Sequence, residues 1–420
     1  MSERAVIVGA GQAGLQSAVS LRQGGFEGDI ILLGAEAHLP YQRPPLSKQV
    51  LKGEWPPERC TLRQPDFIDG LDIDFRPDSQ VTALDCAANQ LSMGERVLDY
   101  DHLVIATGAA LNRMQLDGSH LDGIHYLRTV DDAMALKARL VEGARLVVAG
   151  GGYIGLEVAA SARSLGCTVD VVEAQDHIMK RSALTPVADF LLERHRSEGV
   201  TVHLGRMMTT IHGGASVTAV SLDDGRLLDA DVVLKGIGVR PEIEWLEGSG
   251  VDTGRGVLVD AYGRTNVANI YAAGDVAETQ HPSYTNPVVL ESVQNAVSQG
   301  KIAAAAILGL DQAYEEVPWF WSEQYNCRFQ MAGLAGETDE LVIRDTGPHS
   351  LSVLSLGEDR LVPLRFRFLW MGGRVMETMR AGAFGPMLVI ITAGVERKQL
   401  KMRFPMISNV MLFIWTATLS

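Results

Sequence analysis

The chain has 420 residues, 46% hydrophobic and 21% charged, enough for two or three domains that each bury a core. Its 37 basic and 51 acidic residues leave a formal charge of −14, which argues against nucleic acid as the main partner and leaves room only for a local basic patch. Four cysteines with no C-x-x-C pair give no support to a zinc site or an iron–sulfur cluster, and they suit a reducing cytoplasm.

Taken in chain order, the apolar run Ala5–Val8 predicts a first strand, with Gly9, Gly11 and Gly14 following as Gly-x-Gly-x-x-Gly. No leader is expected ahead of a strand that starts so early. Helix-period residues continue to Gln23, where Gly24-Gly25 ends the helix. Asp29–Leu33 reads as the next strand, closed by Gly34, Ala35 and Glu36, and "LPYQRPPLSK" predicts a Pro-rich loop over Leu39–Lys48. A strand is expected over His102–Ala109, "HLVIATGA".

A second strand–turn–helix–strand unit begins near Arg145, with Gly150, Gly152 and Gly155 at the turn and Glu173 at its end. Short alternating strands fill the stretch from Val200 to Ile237. "NIYAAGDVAE" predicts a strand over Asn269–Glu278, and a long helix of small residues is expected over Val288–Leu308. After "PWFWSEQY", Pro318–Tyr325, the texture becomes alternating strands such as "LSVLSL", then a Met- and Arg-rich tail. Its apolar stretches "PMLVIITAG" and "ISNVMLFIWTATLS" fall short of the ~18 residues a membrane span needs, so no membrane role is expected.

The glycine turn does mechanical work. Its first glycine permits the tight turn, its second lets backbone approach a pyrophosphate, and its third lets helix and strand pack closely. The helix N-terminus adds free N–H donors and about half a positive charge. An acid about 20 positions on accepts from ribose hydroxyls. Glu173 stands at that place and favours NAD over NADP, with Arg181 as weak counter-evidence. Glu36 lies two positions late, which leaves its ribose contact open. One such turn alone is a weak signal, since a tight turn can form without a ligand. Two copies between apolar strands point to two dinucleotides face to face, with FAD and NAD(H) the economical pair.

These residues bring a family into view. "VIVGAGQAG", "PYQRPPLSK", "LVIATGA", "YLRT", "GGGYIGLEVAA", "GIGVRP", "YAAGDVA", "ESVQNA" and "PWFWSEQY" together resemble the FAD-dependent, NADH-using ferredoxin reductases of bacterial oxygenase systems, the putidaredoxin and rhodocoxin reductase group, over about residues 3–362. The resemblance implies a glutathione-reductase-like α/β fold: two Rossmann-type dinucleotide-binding domains plus an α+β C-terminal domain. On that reading residues 1–112 and 240–315 bind FAD, 113–239 bind NAD, and 316–420 form the C-terminal domain. It implies FAD contacts at Gly9, Gly11, Ala13 and Gly14, at Ala35 or Glu36 by the ribose, and at Val81 by the adenine. Lys48 and Arg128 would lie near the isoalloxazine and the hinge, Asp275 at the ribityl and phosphate, and Val293 at the pyrimidine edge. NAD contacts fall on Gly150, Gly152, Tyr153, Ile154, Gly155, Glu173 and Gly238, with Glu291 near the nicotinamide amide.

Lys48 alone could be a solvated loop charge, Glu157 a helix-surface acid, Asp275 a helix cap, Trp321 core and Tyr153 packing. The resemblance instead makes Lys48, Glu157 and Trp321 the catalytic tuners: Lys48 near flavin N5 favouring the anionic reduced ring, Glu157 holding Lys48 charged, Trp321 beside the flavin. Tyr153 would gate nicotinamide access.

Relatives on this fold often carry a redox cysteine pair beside the flavin. Here Pro44-Pro45-Leu46-Ser47-Lys48 fills that region, so electrons are expected to leave the flavin directly for a small iron–sulfur protein. An acidic [2Fe–2S] ferredoxin serving a P450 or ring-hydroxylating oxygenase is the expected partner, docked through Arg43, Arg63 and Arg328, on a monomer or weak dimer. The rival readings are a rubredoxin reductase or NADH oxidase of the same fold, a slow FAD- and NAD-binding interaction protein like apoptosis-inducing factor, and a flavin-free remnant. Beyond Leu361-Val362 the family pattern fails, as a shifted reading frame or rearranged gene end would cause. The nucleotide sequence read one base off tests that.

Overall fold

The computed structural model describes residues 2–282, 284, 286–334, 340–347, 350–356, 362–367, 378–384 and 387–393. The chain divides into two compact units, Met1–Tyr325 and Asn326–Ser420.

The first unit is built on the doubled strand–turn–helix. Strand β1 (Arg4–Val8) leads through the first glycine turn into α1 (Gln12–Gln23), then β2 (Asp29–Leu33). With β3 (Ile73–Arg76), β4 (His102–Ile105) and a late strand, Ile270–Ala272, they make an all-parallel sheet ordered 270–272, β4, β1, β2, β3. Its strands read as continuous apolar runs because both faces are covered. Ala5 and Ile7 enter the core shared with α1, whereas Val6 and Val8 enter a second core on the opposite face.

The chain leaves this sheet through β5 (Ala109–Leu111), forms β6 (Ile124–His125) and α2 (Val130–Lys137), and begins the second copy. There β7 (Arg145–Ala149), α3 (Tyr153–Ser164), β8 (Thr168–Glu173), α4 (Thr185–Ser197) and β9 (Val200–Leu204) follow in order. An antiparallel three-stranded sheet, β10 (Met208–Gly213), β11 (Val217–Leu222) and β12 (Leu227–Asp229), precedes β13 (Val232–Lys235). The second parallel sheet is ordered β9, β8, β7, β13, β6, so each glycine strand sits centrally in its sheet. The chain returns through β14 (Val239–Pro241), which pairs antiparallel with β5. After β15 (Ile270–Ala272), α5 (Val293–Ile307) packs on α1 and β16 (Trp319–Gln324) closes the unit.

Four elements differ from the sequence reading. The strand expected over His102–Ala109 stops at Ile105, and a separate strand begins at Ala109 after Gly108 takes φ +73°. The strand expected over Asn269–Glu278 stops at Ala272, because Gly274 takes φ +85° and turns the chain. The helix expected from Val288 starts at Val293: Val288–Val289 pair with the strand Ala277–Thr279, and Ser292 caps the helix by accepting from the Asn295 N–H. The Pro-rich loop ends in a wide helical turn, Leu46–Val50, in which the Val50 N–H donates to the Pro45 carbonyl.

In the second unit, Cys327–Gly333, Met387–Ala393, Ser350–Leu356 and Glu340–Gly347 lie side by side in that order, all antiparallel, and Val362–Arg367 pairs with Thr378–Phe384. "LSVLSL" is thus a strand, as its alternation suggests. The tail stretch "ISNVMLFIWTATLS" lies outside the described residues.

Candidate functional site

Both glycine turns resolve into the same three-part geometry. Gly9 and Gly150 take φ +111° and +108°, and a Cβ there would strike the Ala106 or Gly236 carbonyl. A Cβ on Gly14 or Gly155 would fall 1.8 or 2.2 Å from the carbonyl oxygen of Gly9 or Gly150, so these glycines let helix and turn touch. At Gly11 and Gly152 a Cβ would meet no heavy atom within 4 Å, and neither N-cap glycine offers a side chain to the first helical N–H groups. Each turn therefore ends at a helix N-terminus whose first N–H groups no N-cap side chain takes, the chemistry a pyrophosphate needs. The residues fit two dinucleotides.

Around the first cradle, Ala13 is buried and faces both Gly274 and Gly300. Asp275 pairs with Arg128 at 3.7 Å. Burial holds the Asp275 carboxyl above its ordinary range against the pull of Arg128 and Arg43. Arg128 reaches Gly108, beside the first turn, and burial and neighbouring Arg43 lower its guanidinium pKa. Glu36 does not stand free at the end of β2: its carboxylate accepts from Arg43 at 2.6 Å and from the Tyr41 hydroxyl at 2.5 Å. Arg43 also donates to the Arg128 carbonyl, and the Val130 N–H donates to Tyr41. Burial, then the bond to Glu36, pushes the Tyr41 phenol up. Ala35 is exposed, Val81 is buried behind β2, and half-buried Val293 opens α5. Glu291, just ahead, is exposed, and desolvation and Asp275 raise its carboxyl pKa.

Around the second cradle, Glu173 Oε2 accepts from the Gly151 N–H at 2.7 Å and Oε1 from the Gln175 N–H at 2.8 Å, which aims the carboxylate along the turn. Ile154 is exposed although apolar, and Gly238 takes φ +93° beside Arg181. Tyr153 packs on the Phe320 ring at 4.4 Å, its hydroxyl donating to the Ser182 carbonyl. Trp321 is half-buried and stacks on Trp319 at 5.1 Å.

The two halves meet at one buried ion pair. Lys48 Nζ lies 2.7 Å from Glu157 Oε2, with the residues 7% and 3% exposed. This overturns the loop-charge and surface-acid readings of both. Glu157 sits about one turn into α3, so the pair fixes the Pro-rich segment against the start of the second cradle's helix. The same carboxylate accepts from Ser47 Oγ at 2.5 Å and Ser322 Oγ at 2.7 Å, and Ser161 Oγ donates to the Ser47 carbonyl. Ser47, Ser322, Tyr41 and Gln324 were missed in the sequence, although the quoted motifs contain them.

Arg43, expected at the docking surface, instead turns inward onto Glu36. Arg63 is exposed over the Phe67 ring, and Arg328, in the second unit, is half-buried.

His195 is fully buried on α4 between Gln324 Oε1, 2.8 Å from Nε2, and the Tyr325 hydroxyl, 3.0 Å from Nδ1. Burial lowers its pKa to about 4. Its folded value lies below the unfolded one, so the unfolded chain binds more protons between pH 6.5 and 4 and stability falls as pH falls through that window. Between pH 7 and pH 5 this group alone removes about 2 kcal/mol. In urea titrations the wild type therefore loses that much more than His195→Gln over the same interval. Equal losses in the two proteins would contradict it.

Residues 3–300 match the model for pyridine nucleotide-disulphide oxidoreductases, and residues 319–366 match the reductase C-terminal model. Rhodocoxin reductase of Rhodococcus erythropolis is 41% identical over 351 residues, 82% of each chain. The anthranilate 1,2-dioxygenase system ferredoxin–NAD(+) reductase component of Burkholderia cepacia is 39% identical over 359 residues, 84% of this chain and 88% of the relative. The crystal structure of the covalent putidaredoxin reductase–putidaredoxin complex superposes with a TM-score of 0.82 at 36% identity, covering 84% of this chain and 87% of the other.

Proposed function

The chain belongs to the pyridine nucleotide-disulphide oxidoreductase family, and from that premise we propose that it works as an NADH-dependent, FAD-containing ferredoxin reductase. It delivers electrons to an iron–sulfur ferredoxin that serves an oxygenase, as the names of its relatives indicate for them. The observation that carries this reading is the doubled cradle: two matched helix N-termini within one compact unit, joined by a buried Lys48–Glu157 pair.

When bound, FAD would supply a centre that can accept a hydride from NADH and yield electrons one at a time. The chain binds and places. Gly9, Gly11, Ala13 and Gly14 would hold the FAD pyrophosphate, with Arg128 and Asp275 alongside and Ala35, Glu36, Val81 and Val293 lining the rest. Gly150, Gly152, Gly155 and Glu173 would hold NADH, bordered by Tyr153, Ile154, Gly238 and Glu291. Lys48 would set a positive charge beside the flavin, Glu157 would orient it, and Trp321 would flank the ring. The FAD portion, 1–112 and 240–315, would enclose the NAD portion, 113–239, across the β5–β14 pairing. The Pro44–Lys48 segment carries no cysteine, which supports electron exit without a dithiol. An acidic [2Fe–2S] partner, docked near exposed Arg63 on a monomer or weak dimer, completes the proposal.

Anaerobic mixing tests it. NADH should bleach the flavin absorbance, and an oxidised [2Fe–2S] ferredoxin should restore it within the turnover time. Recovery with rubredoxin or oxygen alone would transfer the protein to another acceptor. Bleaching that no iron–sulfur protein reverses would defeat the reading.

A further inference from the structure

Glu157 is the end of a buried hydrogen-bond chain that runs away from Lys48, through β16, into α4. A carboxylate has no hydrogen to give, so Ser322 Oγ, 2.7 Å from Glu157 Oε1, must be the donor. Its one hydrogen is then spent, and it must accept from Gln324 Nε2 at 3.2 Å. That fixes the amide orientation, leaving Gln324 Oε1 toward His195 Nε2 at 2.8 Å, so Nε2 carries the hydrogen. Nδ1 then accepts from the Tyr325 hydroxyl at 3.0 Å. Every donor points the same way, from Tyr325 toward Glu157. Ser322, Gln324 and His195 are each 2% exposed or less, and every link between them is a direct hydrogen bond of 3.2 Å or shorter.

We propose that Ser322, Gln324 and His195 are positioning residues for electron entry: their one-way chain fixes the Glu157 carboxylate and, through it, aims the Lys48 ammonium at the flavin. This rests on the reading that Lys48 lies beside the flavin. The geometry favours positioning over packing. Two apolar side chains could fill the space of Ser322 and Gln324, but neither could hold Oε1 of Glu157 while Lys48 and Ser47 hold Oε2. A bidentate grip on both oxygens removes the carboxylate's freedom to rotate, and aligned bonds in a chain polarise one another.

The test uses the holoenzyme and two readouts: the flavin midpoint potential by dye equilibration, and the rate of flavin reduction by NADH. Lys48→Met sets the scale. Ser322→Ala and Gln324→Leu should each move the potential in the same direction as Lys48→Met; Ser322→Ala should slow reduction about tenfold, the weight of one hydrogen bond to a charged group, and Gln324→Leu, one link further out, should slow it by a smaller factor. Ser322→Thr, which keeps the hydroxyl, should restore both. In a Glu157→Gln background, Ser322→Ala should add nothing, because the chain acts only through that carboxylate. If Lys48→Met moves the potential while Ser322→Ala and Gln324→Leu do not, or if Ser322→Ala and Glu157→Gln act additively, the positioning role is overturned alone. If Lys48→Met itself leaves the potential unchanged, the placement of Lys48 falls and this inference with it. Should Ser322→Ala fail to fold, Gln324→Leu and Ser322→Thr still decide it.

Discussion

Replacing Glu157 with leucine lowers the stability of the holoprotein by about 3–5 kcal/mol, because it strands a buried ammonium with no carboxylate. Lys48 Nζ has only the Ser47 hydroxyl, 3.5 Å away, as its other hydrogen-bond partner among the described residues. The double substitution Lys48→Met/Glu157→Leu recovers part of that loss, since apolar groups replace the buried pair at little net cost while the buried Ser322 hydroxyl loses its acceptor. It does not recover reduction of the flavin by NADH, which stays slow. The urea midpoint and the anaerobic reduction rate thus separate in one variant series. If stability and rate recover together in the double variant, the pair is structural and its electron-transfer role is wrong.

The second large effect contrasts two glycines three positions apart. Gly152 has φ −82° and ψ −178°, an extended conformation that any residue adopts, and a side chain there meets nothing of the protein. Gly152→Val therefore leaves folding and FAD content intact while weakening NADH binding by about 100-fold, or ~3 kcal/mol, because its branches stand where the pyrophosphate must approach. Gly155→Val places a Cβ 2.2 Å from the Gly150 carbonyl and destabilises the fold itself by about 3 kcal/mol or more. Thermal unfolding, flavin content and NADH titration distinguish the two. A Gly152→Val protein that binds NADH normally would mean that the second turn is not a nucleotide cradle.

How much of this was legible in the sequence follows from how locally each feature is encoded. The glycine turns were readable because their geometry is set within six residues by steric rules, and the structure shows a tight turn at the first glycine, open space at the second and close packing at the third in both copies. The burial of Lys48 was not readable: its partner lies 109 residues away, and only the family resemblance joined them. Arg43 was misjudged as a surface cation for the same reason, since the carbonyl that turns it inward belongs to Arg128, 85 residues on. The Tyr325–His195–Gln324–Ser322 chain left no local trace, because His195 meets Gln324 across 129 positions and a lone histidine on a helix reads as structural. The false start of α5 at Val288 has a local cause. Val288 and Val289 are apolar enough to extend a helical pattern, and the weight of Ser292 as a cap shows only against the neighbouring strand.

The central claim is that nicotinamide and flavin meet inside one chain at the Lys48–Glu157 junction. Anaerobic absorbance during titration with NADH tests it most directly. Wild-type protein reduced by NADH should show a long-wavelength charge-transfer band that dithionite reduction does not produce and that Gly152→Val abolishes. Identical spectra from NADH and dithionite, with no long-wavelength absorbance in either, would contradict it.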